Sequence, residues 1–164
     1  MSLLRLALAI AAAVALQAGL GRLWPEAPRY IDVMLVPVVW YGLAGSQRSG
    51  MWVGCVAGLL QDTWFGIGSF GLNGFKKTLL GWLLGGFGSR FDLNQQSGRF
   101  VGGALTSLAD SLMDPLLRRL LDQRLAWPPP GEIAIKSLAS GLLVVAAFGI
   151  IDGVRARREL RRTS

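Results

Sequence analysis

Six ionisable side chains stand within or beside apolar stretches, where such groups are costly: Asp62, Lys76, Lys77, Asp110, Asp114 and Arg118. Asp62 lies in the run Leu59-Leu60-Gln61-Asp62-Thr63-Trp64. A carboxylate in such surroundings needs a partner, and Lys76 and Lys77, which open the next apolar segment across a glycine-punctuated link, are the candidates. The reading is an ion pair that locks two successive helices; a proton or solute site is the alternative. Asp110 and Asp114, four apart, share one helix face, with Arg118 four further on as a counter-charge. Two carboxylates so spaced suit cation binding or a proton relay. The favoured reading is structural, an ion pair with Arg118 and a helix cap, since neither a histidine nor a third carboxylate stands near to complete a metal set.

The missing residue types narrow the chemistry further. Histidine is absent, which removes the commonest general base, and the single cysteine, Cys55, sits inside an apolar segment without an intramolecular disulfide partner. No nucleophile and base pair can be named. The expectation is a protein that is not an enzyme and holds no cofactor and no metal.

The elements that must position these residues are apolar helices. Of the 164 residues, 52% are hydrophobic and 16% charged, and the mean hydropathy is +0.44. The charges fall mainly between long uncharged stretches instead of recurring every three or four residues, as a soluble bundle requires. This predicts an all-α integral membrane protein, one polytopic domain over 1–164, with spans at about 3–20, 31–45, 50–65, 70–88, 98–113 and 133–151. A cleaved signal peptide competes for the first segment, but five later segments favour a retained helix. Asp114-Pro115 predicts a break in segment five, followed by an interfacial helix at about 115–125 with leucines on one face and Arg118, Arg119 and Arg124 on another. Ser46-Gln47-Arg48-Ser49 reads as a tight turn between segments two and three.

Six spans put both termini on one side. The tail 152–164 carries Arg155, Arg157, Arg158, Arg161 and Arg162, part of a net charge of +7. Directly after an apolar segment, this cluster reads as a cytoplasmic anchor near anionic lipid and not as a nucleic-acid site. Arg118, Arg119, Arg124 and Lys136 are exceptions, expected outside. Gly50, Gly54 and Gly58 share one helix face and allow close approach of another backbone, either within the chain or on a binding partner. Gly81 with Gly85, and Gly149 with Gly153, repeat the pattern.

The run Asp32-Val33-Met34-Leu35-Val36 through Gly50, then Gly54, Gly58-Leu59-Leu60-Gln61-Asp62, the glycines from Gly66 to Gly71, and Lys77-Thr78-Leu79-Leu80-Gly81 resembles the MreD family of rod shape-determining membrane proteins. The match covers roughly residues 30 to 90; Tyr30-Ile31 stand where that family usually has proline before the acidic residue. The resemblance implies a non-enzymatic component of the bacterial cell-elongation machinery in the inner membrane, binding an MreC-type protein. Through it the chain would work with a RodA-type glycosyltransferase, a class B transpeptidase and MreB filaments in peptidoglycan synthesis. The family is also similar in fold to the substrate-binding subunits of energy-coupling-factor transporters, which supplies a second expectation: solute capture in an outer polar pocket involving Asp62, Lys76 and Asp110. Few polar groups are expected to line such a pocket, which favours the adaptor over the transporter subunit.

Overall fold

A computed structural model of the chain describes residues 3–65, 70–88, 96–121 and 127–163. Those residues are all-helical: α1 (Leu3–Leu23), α2 (Ala27–Tyr30), α3 (Leu35–Leu43), α4 (Gln47–Phe65), α5 (Leu72–Phe87), α6 (Gln96–Leu120) and α7 (Pro130–Thr163). Each predicted apolar segment lies on a helix. Two of the helices are long and apolar enough to cross a membrane, over Leu6–Leu23 and Pro130–Val154.

The nine-residue α3 is the central element and touches α1, α4, α5, α6 and α7. One side packs Met34 and Val38 with Ala13 of α1 and Val53 and Ala57 of α4. The other packs Val39 and Leu43 with Val144 and Phe148 of α7. An all-apolar helix such as Leu-Val-Pro-Val-Val-Trp-Tyr-Gly-Leu can serve two neighbours at once because it has no polar face to keep wet. The α4–α5 and α6–α7 hairpins flank it. Ser46 starts α4 as a reciprocal cap, its backbone N–H donating to Ser49 Oγ (2.8 Å) while the Ser49 N–H donates to Ser46 Oγ (3.3 Å).

Beside these apolar clusters, several polar and ionic side chains are buried while many large apolar ones are exposed. Lys76, Lys77, Asp32, Asp62, Asp110, Gln17, Thr106, Ser107 and Ser140 are buried, whereas Trp52, Trp64, Phe70, Leu138, Leu142 and Ile150 are exposed.

The predicted break at Asp114-Pro115 does not occur, since α6 runs unbroken through Pro115 to Leu120. Proline removes one backbone N–H, but the same turn is bridged by Arg118 Nε donating to Asp114 Oδ2 at 2.8 Å. The Asp114 carboxylate is thereby occupied and is not a cap. The expected interfacial helix is the last turn and a half of α6, and its continuation over 122–126 lies outside the described residues.

Candidate functional site

Asp62 has no ion pair among the described residues, contrary to the expected partnership with Lys76 or Lys77. Its carboxylate instead closes the start of α5. Oδ2 accepts from the Gly71 and Gly74 N–H groups (both 3.0 Å), and Oδ1 accepts from the Asn73 N–H (3.3 Å) and Asn73 Nδ2 (2.8 Å). A helix start leaves N–H groups without partners and carries a partial positive charge, so a carboxylate there is satisfied without a lysine. Gly71 holds φ of +93°, a turn that other L-residues adopt only with strain, and this brings the N–H groups round to Asp62. The Asp62 carboxylate therefore does lock α4 to α5, through backbone donors.

Lys76 and Lys77 could not both have served that carboxylate, because successive helical residues point about 100° apart. Lys77 turns toward α3 and meets Asp32 at 2.5 Å; its side chain is 0% exposed and that of Asp32 5%. Asp32 Oδ1 also accepts from the Met34 N–H at 3.0 Å. Lys76 turns toward α6 and bridges Asp114 (2.7 Å) and Asp110 (3.4 Å). Arg118 completes the Asp114 side, and Lys136 of α7 reaches Asp110 Oδ2 at 3.3 Å. The result is an alternating row, Lys136–Asp110–Lys76–Asp114–Arg118, that ties α5, α6 and α7 together. The shared face of Asp110 and Asp114 and the Arg118 counter-charge are as the spacing predicts; the lysine they share is the one assigned to Asp62.

Four participants escape sequence reasoning. Lys136 reads as an outside loop charge yet sits on α7 among these groups. Gln17, buried in α1, accepts from the Val33 N–H (2.8 Å) and donates to the Ile31 carbonyl (3.4 Å), so it satisfies irregular backbone ahead of α3. A lone Gln in an alanine-rich helix was the available signal. At the other end of the α6–α7 hairpin, Arg99 pairs with Asp152 at 2.8 Å and lies over the Phe148 ring.

The glycine face belongs to the chain's own interior, which corrects its reading as a partner-binding surface. A Cβ on Gly50 would strike the Gly81 carbonyl, one on Gly54 the Lys77 carbonyl, and one on Gly58 the Asn73 carbonyl. Gly50, Gly54 and Gly58 thus form an antiparallel seam with α5 and are buried. No such neighbour faces Gly149 or Gly153, where a Cβ would meet nothing within 4 Å.

Around the charged row opens a cleft of about 260 Å³, lined by residues from the α1–α3 connection, the end of α4, the start of α5, the C-terminal half of α6 and the start of α7. Lys76, Asp110, Asp114, Lys136, Gln61 and Asn73 are among its walls, so polar groups line it more densely than sequence reasoning expects, whereas Asp62 is not among them. No cluster of three or more metal-ligating side chains lies among the described residues. The arrangement suits holding helices in register and binding polar groups. Comparison with family models, curated proteins and solved structures found no match to the chain.

Proposed function

We propose that the chain is a non-enzymatic scaffold of the bacterial cell-elongation machinery, of the MreD kind, with six spans in the inner membrane and both termini cytoplasmic. It binds an MreC-type membrane protein and, through it, works with a RodA-type glycosyltransferase, a class B transpeptidase and MreB filaments. One observation carries this reading: the residues of the family resemblance are mutually connected. Asp32 pairs with Lys77, the Lys77 carbonyl lies under Gly54, and Asp62 caps the helix on which Lys77 stands. Although Asp32 and Lys77 stand 45 residues apart in sequence, these residues form one packing unit, which supports the reading.

The burial of ionic side chains and the exposure of large apolar ones support the bilayer. Lipid imposes no cost on exposed Trp, Phe and Leu, while buried ionic groups must find one another. The spans are α1, α3, α4, α5, α6 and α7. At 1.5 Å per residue α3 is only about 14 Å long. The irregular Asp32 to Met34 stretch ahead of it is buried in protein, with N–H groups satisfied by Gln17 and Asp32, the condition under which irregular backbone is tolerated at membrane depth. Trp24, Trp64 and Trp127, exposed near the cleft end, suit one membrane interface.

The test is co-expression of the tagged chain with an MreC-type protein, followed by detergent purification and mass spectrometry of what co-elutes. Retention of the MreC-type protein supports the scaffold; a well-folded chain that retains none of it removes that reading. A second reading, the solute-binding subunit of an energy-coupling-factor-type transporter, is favoured by the polar cleft. It requires an ATPase-bearing module to co-elute instead.

A further inference from the structure

Among the described residues, two buried oxygens of cleft-lining side chains accept no hydrogen bond. Gln61 Oε1 receives no hydrogen bond, and neither does Asp110 Oδ1, which the Lys76 ammonium approaches only at 3.4 Å. Asp110 is 3% exposed, so open solvent does not reach it freely. Buried acceptors are normally satisfied, and one left without a donor beside a cavity becomes a place for an entering donor once its side chain turns toward the cavity. Farther out, Arg29 and Glu132 line the same cleft and form no ion pair among the described residues.

The charges define what fits. The lining holds three basic residues, Arg29, Lys76 and Lys136, against four acidic ones, Asp32, Asp110, Asp114 and Glu132, while Lys77 pairs with Asp32 and Arg118 with Asp114 from behind, so the cleft presents both signs. A net cation meets Lys76 and Lys136, and a net anion meets Asp110 and Asp114. A dipolar molecule aligns with both. The cleft volume, about 260 Å³, lies below the range of roughly 300–1,000 Å³ usual for drug-sized ligands.

We infer that this cleft binds a small zwitterionic solute of amino-acid or dipeptide size, its donor head directed at Gln61 Oε1 and Asp110 Oδ1 and its carboxylate toward Arg29. The site does not depend on which partner the protein has: a scaffold that senses such a solute and a subunit that captures it would carry the same cleft. Its failure therefore leaves the co-purification result untouched.

The experiment is thermal unfolding and isothermal calorimetry of the full chain in detergent with L-alanine, L-serine, L-glutamine and glycylglycine, each at about 10 mM. Acetate and ethylammonium serve as single-charge controls. At least one zwitterion should raise Tm and give a saturable heat, while neither control does. Gln61→Leu removes an oxygen that accepts nothing, and Arg29 is exposed, so Gln61→Leu and Arg29→Gln should fold as the parent does and weaken binding about tenfold or more. No shift from any of the four probes overturns the inference. So does an equal shift from the single-charge controls, or unaltered binding in both variants.

Discussion

The Lys77 ammonium meets the Asp32 carboxylate at 2.5 Å, 45 residues apart in the chain and shut away from solvent. Asp32 directly precedes Val33 and Met34 of the apolar cluster that also holds Val38 and Val53. Such a pair adds little net stability over apolar replacements, but breaking it by removing one partner is severe.

Lys77→Met should therefore lower unfolding stability by about 3–5 kcal/mol. Adding Asp32→Asn, which keeps an acceptor for the Met34 N–H and removes the stranded charge, should recover more than half of that loss. Equilibrium unfolding in mixed micelles measures both. A single variant as stable as the parent would show that the pair is not buried as described.

Lys76 provides a cleaner discrimination, because two partners were available to it. A double-mutant cycle between Lys76→Met and Asp114→Asn should give a coupling of about 0.5–3 kcal/mol, whereas the cycle between Lys76→Met and Asp62→Asn should be additive within about 0.5 kcal/mol. The reverse order would restore the Asp62 pairing that sequence reasoning favours.

Gly54→Ala pushes a methyl into the Lys77 carbonyl, while Gly149→Ala meets open space. The first should cost about 1–3 kcal/mol or more in unfolding stability, and the second should be neutral or slightly stabilising. Partner loss in a Gly54 variant would accordingly follow from damage within the chain. Equal stabilities in the two variants would contradict the α4–α5 seam.

The continuity of α6 is open to hydrogen exchange. Amides from Leu117 to Leu120 should exchange measurably more slowly than an unstructured segment, though faster than the buried Ser107 to Ser111, because they form the exposed last turn of the same helix. Exchange at the rate of an unprotected segment immediately after Pro115 would indicate the break that the sequence suggests.

The order of the long helices was legible because each apolar stretch is bounded by glycine, proline or charge, whereas the short α2 was not expected; the shared face of Asp110, Asp114 and Arg118 followed from their spacing. Long-range pairing was less accessible. Proximity in sequence assigned Lys76 and Lys77 to Asp62, yet the 100° turn between neighbours sends them to different helices, and backbone N–H groups, invisible as residue types, claimed the carboxylate first. The Gly50, Gly54, Gly58 repeat correctly marked a close backbone approach but carried no information on whose backbone it meets. Pro115 misled because propensity weighs one missing N–H and not the Asp114–Arg118 bridge across the same turn. The cleft was underestimated because Lys136 read as an outside charge until the fold brought it beside α6.

The proposed function requires the chain to cross the membrane with its charged cleft outward, opposite the end that bears the α3–α4 turn and both termini. Cysteine labelling in intact cells tests this directly, in a Cys55→Ala background with Arg48→Cys at that turn or Gly131→Cys at the exposed start of α7, where a Cβ meets nothing. A membrane-impermeant maleimide should label the Gly131 variant in intact cells and the Arg48 variant only after permeabilisation. Labelling of the Arg48 variant from outside, or of neither variant until lysis, would contradict the topology on which the scaffold and its cleft depend.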